Sequence, residues 1–113
     1  KQISIVVPVF NERENIGRLH AEILEVCSRN QYDAQIIVVD DGATDGTDLV
    51  CKELTPIHYI RLRRNFGQTA AMDAGIKAAQ HELIVTMDGD GQNDPADIPR
   101  LIDAMQSNDV DFV

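Results

Sequence analysis

Three stretches of this chain are nearly unbroken apolar runs: Ile3-Ser4-Ile5-Val6-Val7-Pro8-Val9-Phe10, Ala34-Gln35-Ile36-Ile37-Val38-Val39 and Leu83-Ile84-Val85-Thr86-Met87. Strands covered on both faces read this way, which predicts a parallel sheet. A fourth run, Ile57-His58-Tyr59-Ile60-Arg61-Leu62, alternates apolar and polar residues more, so it is expected at a sheet edge. Helical periods lie between the runs. Ile16, Leu19, Ile23 and Val26 share one face of a first helix, with Asn11 as its expected N-cap, Glu14 three residues on, and Asn30 closing it. Thr44 to Asp48 forms a turn that opens a second helix through Leu54, and Pro56 separates that helix from the alternating strand. A third helix is rich in small residues (Ala70, Ala71, Ala74, Gly75, Ala78, Ala79) and is suited to lie close against a sheet. Asp94-Pro95 reads as an N-cap followed by proline at the first helical position. Ile98, Leu101, Ile102 and Met105 then make a fourth amphipathic helix whose first turn Pro99 is expected to distort, and Val110 to Val113 begins a fifth strand. Strand and helix alternate four times, which predicts an α/β layered fold with right-handed crossovers.

Length changes this picture little: 113 residues suffice for one domain with a real core. Apolar residues are 43% and charged residues 26% of the chain, the composition of a globular protein. Charge changes it more. Ten Lys and Arg against 19 Asp and Glu give a net charge of −9, which argues against nucleic acid or anionic membrane as a partner. An acidic protein that binds an anion must do so through a metal or a local basic pocket. Cys27 and Cys51 lie in helical patterns without zinc spacing and read as buried thiols of a reducing, cytoplasmic compartment. His20, His58 and His81 likewise show no ligand spacing and read as surface or edge residues, and Arg61 and Arg63 as solvated ones. No signal peptide is visible, the apolar start is too short for a membrane span, and a first residue Lys1 in place of Met reads as a trimmed start.

Candidate chemistry concentrates where the last full apolar run ends, in Asp88-Gly89-Asp90-Gly91-Gln92-Asn93. Two carboxylates one residue apart, with a carboxamide two places on, form an oxygen-rich set suited to a hard divalent cation, Mg²⁺ or Mn²⁺. The plain alternative is a turn, since Asp, Gly and Asn are turn residues. A calcium-binding EF-hand loop fits poorly, because Asn93 stands where it needs Gly and Pro99 where it needs Glu. A phosphatase nucleophile would follow the first strand. A phosphorylation receiver would need a lone Asp after strand three, where arginines stand. No G-x-G-x-x-G follows the first strand and no phosphate-binding P-loop occurs, which disfavours NAD, FAD and P-loop chemistry.

In open α/β sheets ligands bind beyond the carboxyl ends of the strands. The unusual polar residues sit there: Asn11 and Glu12, Asp40 and Asp41, Arg64 and Asn65, Asp88 and Asp90. A nucleoside diphosphate with a metal suits this rim. Asp40 matches the imino N–H of a uracil or guanine, Arg64 a phosphate, and Asp88 with Asp90 the cation that bridges two phosphates. Glu12 has a second reading as a charge favourable near the start of a helix.

Four ordered motifs, Val6-Val7-Pro8-Val9-Phe10-Asn11-Glu12, Val38 to Thr47 (VVDDGATDGT), Arg64-Asn65-Phe66-Gly67 and Met87 to Pro95 (MDGDGQNDP), resemble family 2 glycosyltransferases of the GT-A fold. Their spacing is most similar to the dolichol-phosphate mannose synthase and polyprenyl-phosphate glycosyltransferase branch, over essentially the whole chain. The resemblance implies a three-layer α/β/α domain with a mainly parallel sheet, of which residues 1–113 are the Rossmann-like, nucleotide-sugar-binding part. It also implies metal-dependent, inverting transfer of a sugar from a UDP- or GDP-sugar to a polyprenyl or dolichyl phosphate. Pro8, Phe10 and Glu12 would line the base and ribose, and Asp40 would read the base. Arg64, Asn65, Gly67 and Gly89 would lie near the sugar nucleotide. Asp88 and Asp90 would be catalytic through the metal, with Gln92 as a further ligand. Ala43 stands where such proteins usually carry Ser, and a lost turn hydrogen bond is expected there. Family members continue with further strands, an acceptor-binding half and, in many, membrane segments, which places the parent at the cytoplasmic face of a membrane. The sheet side that such a half would cover is expected to be exposed and apolar, predicting self-association. The competing functional class is a nucleotide- and metal-binding module without turnover.

Overall fold

The computed structural model describes residues 1–87 and 94–107. Its elements, in chain order, are β1 (Gln2–Val9), α1 (Ile16–Arg29), β2 (Asp33–Asp40), α2 (Thr47–Glu53), β3 (His58–Arg61), α3 (Gln68–Ala78), β4 (Leu83–Thr86), a 3₁₀ turn (Pro95–Asp97) and α4 (Ile98–Ser107). The four strands make one sheet in the order β3-β2-β1-β4, every pairing parallel. The alternating run is an edge strand, as its pattern predicts. The expected fifth strand at Val110 to Val113 lies outside the described residues.

The sheet is covered on both faces, which is why its central strands carry no polar alternation. On one face Ile3, Ile5, Val7 and Val9 of β1 and Ile36 and Val38 of β2 pack with Ile16, Leu19, Ile23, Cys51, Ile98, Ile102 and Met105 from α1, α2 and α4. On the other face Val6, Ile37 and Val39 meet α3 through Ala71. The small residues of α3 serve this contact. A Cβ added at Gly75 would lie 2.3 Å from Val6 Cγ1 and 3.1 Å from Val39 Cγ2, so the helix rides directly on the sheet.

Local signals set several boundaries. Asn30 caps α1, its Nδ2 donating to the Val26 carbonyl at 2.9 Å. Asp94 caps the 3₁₀ turn, accepting from the Ala96 amide at 2.9 Å, with Pro95 next in sequence. Pro99 falls in the first turn of α4, where a missing amide hydrogen costs little. At the other end of the sheet, the pairing of β1 with β4 ends at Val6–Thr86, followed by the Met87 amide donating to the Val6 carbonyl at 2.9 Å. By strand alternation Pro8 is the next β1 residue to face β4, and it has no amide hydrogen to give. The strand order also reverses here, since β2 lies on one side of β1 and β4 on the other. The carboxyl ends of β1 and β4 are thus the topological switch point of the sheet.

Two sequence expectations are corrected. Asn11 does not cap α1: Asn15 occupies that position, and the Glu12 carbonyl accepts the Asn15 and Ile16 amides at 3.0 and 2.9 Å. His20 is not a surface residue. It is 6% exposed, with Nε2 at 3.2 Å from the Pro56 carbonyl, because its position on α1 faces the chain that follows α2. Both cysteines are buried and unpaired, as expected. Among the described residues no helix is long and apolar enough to cross a membrane.

Candidate active site at the carboxyl rim of the sheet

The rim is assembled from loops that follow β1, β2 and β3. The first two are stitched together by three hydrogen bonds. The Thr44 amide donates to Asn11 Oδ1 at 2.8 Å, the Glu12 amide to Thr47 Oγ1 at 3.0 Å, and the Arg13 amide to Asp45 Oδ2 at 3.2 Å. Asn11 reaches this position with a φ of 53°, a left-handed conformation that Asn tolerates better than most residues. Thr47 is fully buried and donates its hydroxyl to Asp45 Oδ1, whose other donor is the Thr47 amide. Desolvation would raise the Asp45 pKa. The bonds from the Thr47 hydroxyl and amide and the Arg13 amide outweigh it and hold the carboxyl below its ordinary value.

The adjacent aspartates at the end of β2 have separate tasks. Asp40 is wholly buried. Its Oδ1 accepts from the Ala43 amide at 2.8 Å and its Oδ2 from the Tyr59 hydroxyl at 2.6 Å. Burial, then the bond to Asp40 and its negative charge, push the Tyr59 pKa upward, so the phenol remains a donor. Asp41 is 3% exposed and points toward the loop after β3, where Oδ1 accepts the Phe66 amide at 2.8 Å and Oδ2 the Gly67 amide at 3.0 Å. Gly42, at φ +76°, lies under the same loop: a Cβ there would come within 2.4 Å of the Arg64 carbonyl carbon. That close approach requires glycine.

The residues expected to meet a nucleotide therefore divide. Phe10, Arg64 and Asn65 present exposed side chains, and Gly67 (φ +101°) precedes α3. Glu12 is half-buried and accepts from Asn15 Nδ2 at 3.0 Å. Pro8 is buried near the carboxyl end of β1. Asp40 is buried, with one oxygen on the Ala43 amide and the other on the Tyr59 hydroxyl. Asp88, Gly89, Asp90 and Gln92 lie outside the described residues; in sequence they follow Met87 directly. Among the described residues no group of three or more His, Cys, Asp or Glu is placed to hold a metal ion. The carboxylate and carboxamide oxygens of Asp88, Asp90 and Gln92 are the donor set whose chemistry suits a hard divalent cation.

Arg61 departs from the expectation of a solvated side chain. Its Nη1 is 2.7 Å from Asp48 Oδ2 and its Nη2 donates to the Ala43 carbonyl at 3.2 Å, bracing the loop after β2. Ala43 keeps the turn through its amide to Asp40, with its methyl group buried. Sequence reasoning placed Asp41 at the rim without its role, and missed Asp45, Thr47 and Tyr59 as organisers there. The doubled aspartate at a strand end was the available signal for Asp41; nothing local marks Tyr59.

With this geometry in place, the chain can be set beside known proteins. Residues 4–113 match the family described as Glycosyl transferase family 2. A dodecaprenyl-phosphate galacturonate synthase of Rhizobium johnstonii is 41% identical over 117 residues, covering 99% of this chain and 35% of the relative. An undecaprenyl-phosphate 4-deoxy-4-formamido-L-arabinose transferase of Aeromonas hydrophila is 37% identical over 116 residues, covering 97% and 36%. The chain thus spans about a third of the length of these curated relatives. Among solved structures, a mycobacterial protein superposes with a TM-score of 0.76 at 21% identity, over 95% of this chain and 37% of its own. A mannosyltransferase of Pyrobaculum calidifontis in complex with GDP-Man and Mn²⁺ does so with a TM-score of 0.70 at 24% identity, over 78% and 27%. S. aureus TarS in complex with UDP-GlcNAc gives 0.69 at 19%, over 95% and 32%. These structural likenesses show a shared fold.

Proposed function

Because this chain belongs to glycosyl transferase family 2, we propose that residues 1–113 are the donor-binding part of an inverting glycosyltransferase of the polyprenyl-phosphate type. The donor is a UDP- or GDP-sugar lying across the carboxyl rim of the sheet. The acceptor is a polyprenyl or dolichyl phosphate, held by chain outside these residues, and the reaction takes place at the cytoplasmic face of a membrane. In the transfer an oxygen of the lipid phosphate attacks the anomeric carbon from the side opposite the nucleotide. The bond from that carbon to the diphosphate oxygen breaks, the nucleoside diphosphate departs with the electron pair, and the configuration inverts. The lipid phosphate is already ionised, so the step needs no general base.

The observation that carries this reading is the fixed position of Arg64. The Asp41 carboxylate and Gly42 hold the loop from Arg64 to Gly67 on the end of β2, with the Arg64 side chain exposed. A planar guanidinium there can pair with the diphosphate before and during its departure. Asp88, Asp90 and Gln92 would hold Mg²⁺ or Mn²⁺, which when bound neutralises diphosphate charge that a protein of net charge −9 otherwise repels. Phe10 offers an exposed apolar face to base or ribose, which Pro8 and Glu12 would line with it. In this reading Asp40 also braces the turn at Ala43 and the Tyr59 hydroxyl.

Calorimetric titration with UDP, GDP and their sugars, with and without Mn²⁺, tests the proposal. Micromolar to millimolar binding that strengthens with Mn²⁺ is expected. Affinity for every sugar nucleotide unchanged by metal would overturn it. Sugar transfer to a polyprenyl phosphate by a longer chain carrying these residues, with little or none by residues 1–113 alone, distinguishes the donor part of an enzyme from a binding module.

A further inference from the structure

We propose that Phe66 is a positioning residue for Arg64, its ring holding the guanidinium at the rim for the diphosphate of the donor. The inference rests on the reading above, in which Arg64 meets that diphosphate. Its own basis is geometric. The Arg64 guanidinium carbon stands 4.8 Å from the centroid of the Phe66 ring, within cation–π range. Phe66 is 47% exposed, so its ring contributes little to the core. A lone exposed aromatic would need no explanation. Phe66 differs because its backbone is pinned at both ends of its own residue, by its amide and that of Gly67 to Asp41 at 2.8 and 3.0 Å. The Arg64 backbone is pinned as well, against Gly42. Two fixed backbones leave only side-chain torsions free, and the ring contact selects among them.

The choice of partner matters in a protein of net charge −9. Arg61 shows the alternative: it is spent on Asp48 at 2.7 Å and on the Ala43 carbonyl. Among the described residues Arg64 forms no ion pair. The two carboxylates at the end of β2, against which the Arg64 loop lies, are otherwise engaged, Asp40 with Ala43 and Tyr59, and Asp41 with the Phe66 and Gly67 amides. A guanidinium resting on a π face keeps its N–H donors for an incoming anion, whereas one in a salt bridge must first break it. Storage on the ring also removes part of the torsional freedom that a free arginine would lose on binding.

The test is calorimetric titration of UDP and GDP, with uridine and guanosine as phosphate-free controls, in the native chain, F66L, F66Y, R64A and R64A/F66L. Thermal melts confirm that each variant is folded. An exposed cation–π contact predicts that F66L weakens nucleoside diphosphate binding about two- to fivefold. F66Y is expected within about twofold of the native chain, since its ring is retained. R64A weakens diphosphate binding more than F66L, and adding F66L to R64A costs nothing further, because the ring acts through the arginine. Nucleoside affinity stays unchanged throughout. Should R64A weaken diphosphate binding while F66L does not, the role of Phe66 is refuted and that of Arg64 stands. A loss on F66L that persists in the R64A background, or that extends to the nucleosides, also refutes it, since the ring would then touch the base. If R64A itself leaves diphosphate binding unchanged, the placement of the diphosphate falls and this inference with it.

Discussion

The Asp41 carboxylate accepts the Phe66 amide at 2.8 Å across 25 residues of sequence, and its second oxygen takes the next amide, that of Gly67, at 3.0 Å. One buried side chain at the end of β2 thereby fixes the loop that leads into α3. Replacing it by alanine strands two backbone donors, and charge-assisted bonds of this kind make the D41A loss about 2–4 kcal/mol. Asparagine can satisfy one amide only, so D41N is expected between native and D41A. Urea unfolding measures the stability order, and nucleotide titration should show affinity falling in the same order. Equal stability of all three would show that the pair does not hold the loop.

Tyr59 and Asp40 form a second buried pair, hydroxyl to Oδ2 at 2.6 Å. Tyr59→Phe removes the donor and leaves a fully buried carboxylate oxygen without its partner, so a loss of about 1–3 kcal/mol is expected. The change in urea midpoint at constant slope reads it out. A neutral result would mean that water or rearrangement replaces the phenol.

Alkaline pH should destabilise the fold. Burial pushes the Cys27 thiol from 9.0 up to about 11. Burial, then the charges of Asp40 and Asp48, push Cys51 from 9.0 up to about 12. Tyr59 is raised in the same direction. Above pH 9 the unfolded thiols ionise while the folded ones keep their protons, so the unfolded state binds fewer protons and stability falls as pH rises. The stabilisation is complete below pH 9 and declines by up to about 1.4 kcal/mol per pH unit for each group. Unfolding under reducing conditions at pH 8, 9 and 10 should show the decline, and C27A should lessen its slope by about one proton's worth. A flat profile would contradict the burial of the thiols.

Two glycines should respond differently to alanine. At Gly42 a Cβ meets backbone atoms of Arg64 and Asn65 at 2.4–2.8 Å, and the φ of +76° is itself unfavourable for alanine. At Gly75 it meets the Val6 side chain at 2.3 Å with an ordinary helical backbone. G75A should cost about 1–3 kcal/mol through overpacking of α3 on the sheet and leave rim binding largely intact. G42A should cost at least as much and also weaken nucleotide binding, since it displaces the loop bearing Arg64. Titration of both variants separates the two effects; identical binding would show that the Gly42 contact does not position Arg64.

Metal dependence should reside in Asp88 and Asp90. D88N and D90N are each expected to lower the Mn²⁺-linked gain in nucleotide affinity by at least about tenfold, with metal-free affinity little changed. Chelation of the native chain should reproduce the variants. A full metal response in the double variant would move the cation elsewhere.

Element order and layering were legible in the linear pattern, because unbroken apolar runs and a 3.6-residue period are local consequences of which faces are buried. The position of β3 at the edge and the caps at Asn30 and Asp94 followed from the same short-range rules. The clustering of polar residues at strand ends was also visible, since a parallel sheet puts all those ends on one rim. What each side chain does there was not. Asn11 reads as a cap yet bonds Thr44, His20 reads as surface yet is buried against Pro56, and Arg61 reads as solvated yet pairs with Asp48. The adjacent aspartates at the end of β2 look alike in sequence, but Asp40 meets the Tyr59 hydroxyl on the neighbouring strand while Asp41 grasps the loop after β3. Local propensity fixes the backbone period within a few residues. The partners of a polar side chain depend on register and on where distant loops cross, and only the assembled sheet supplies those.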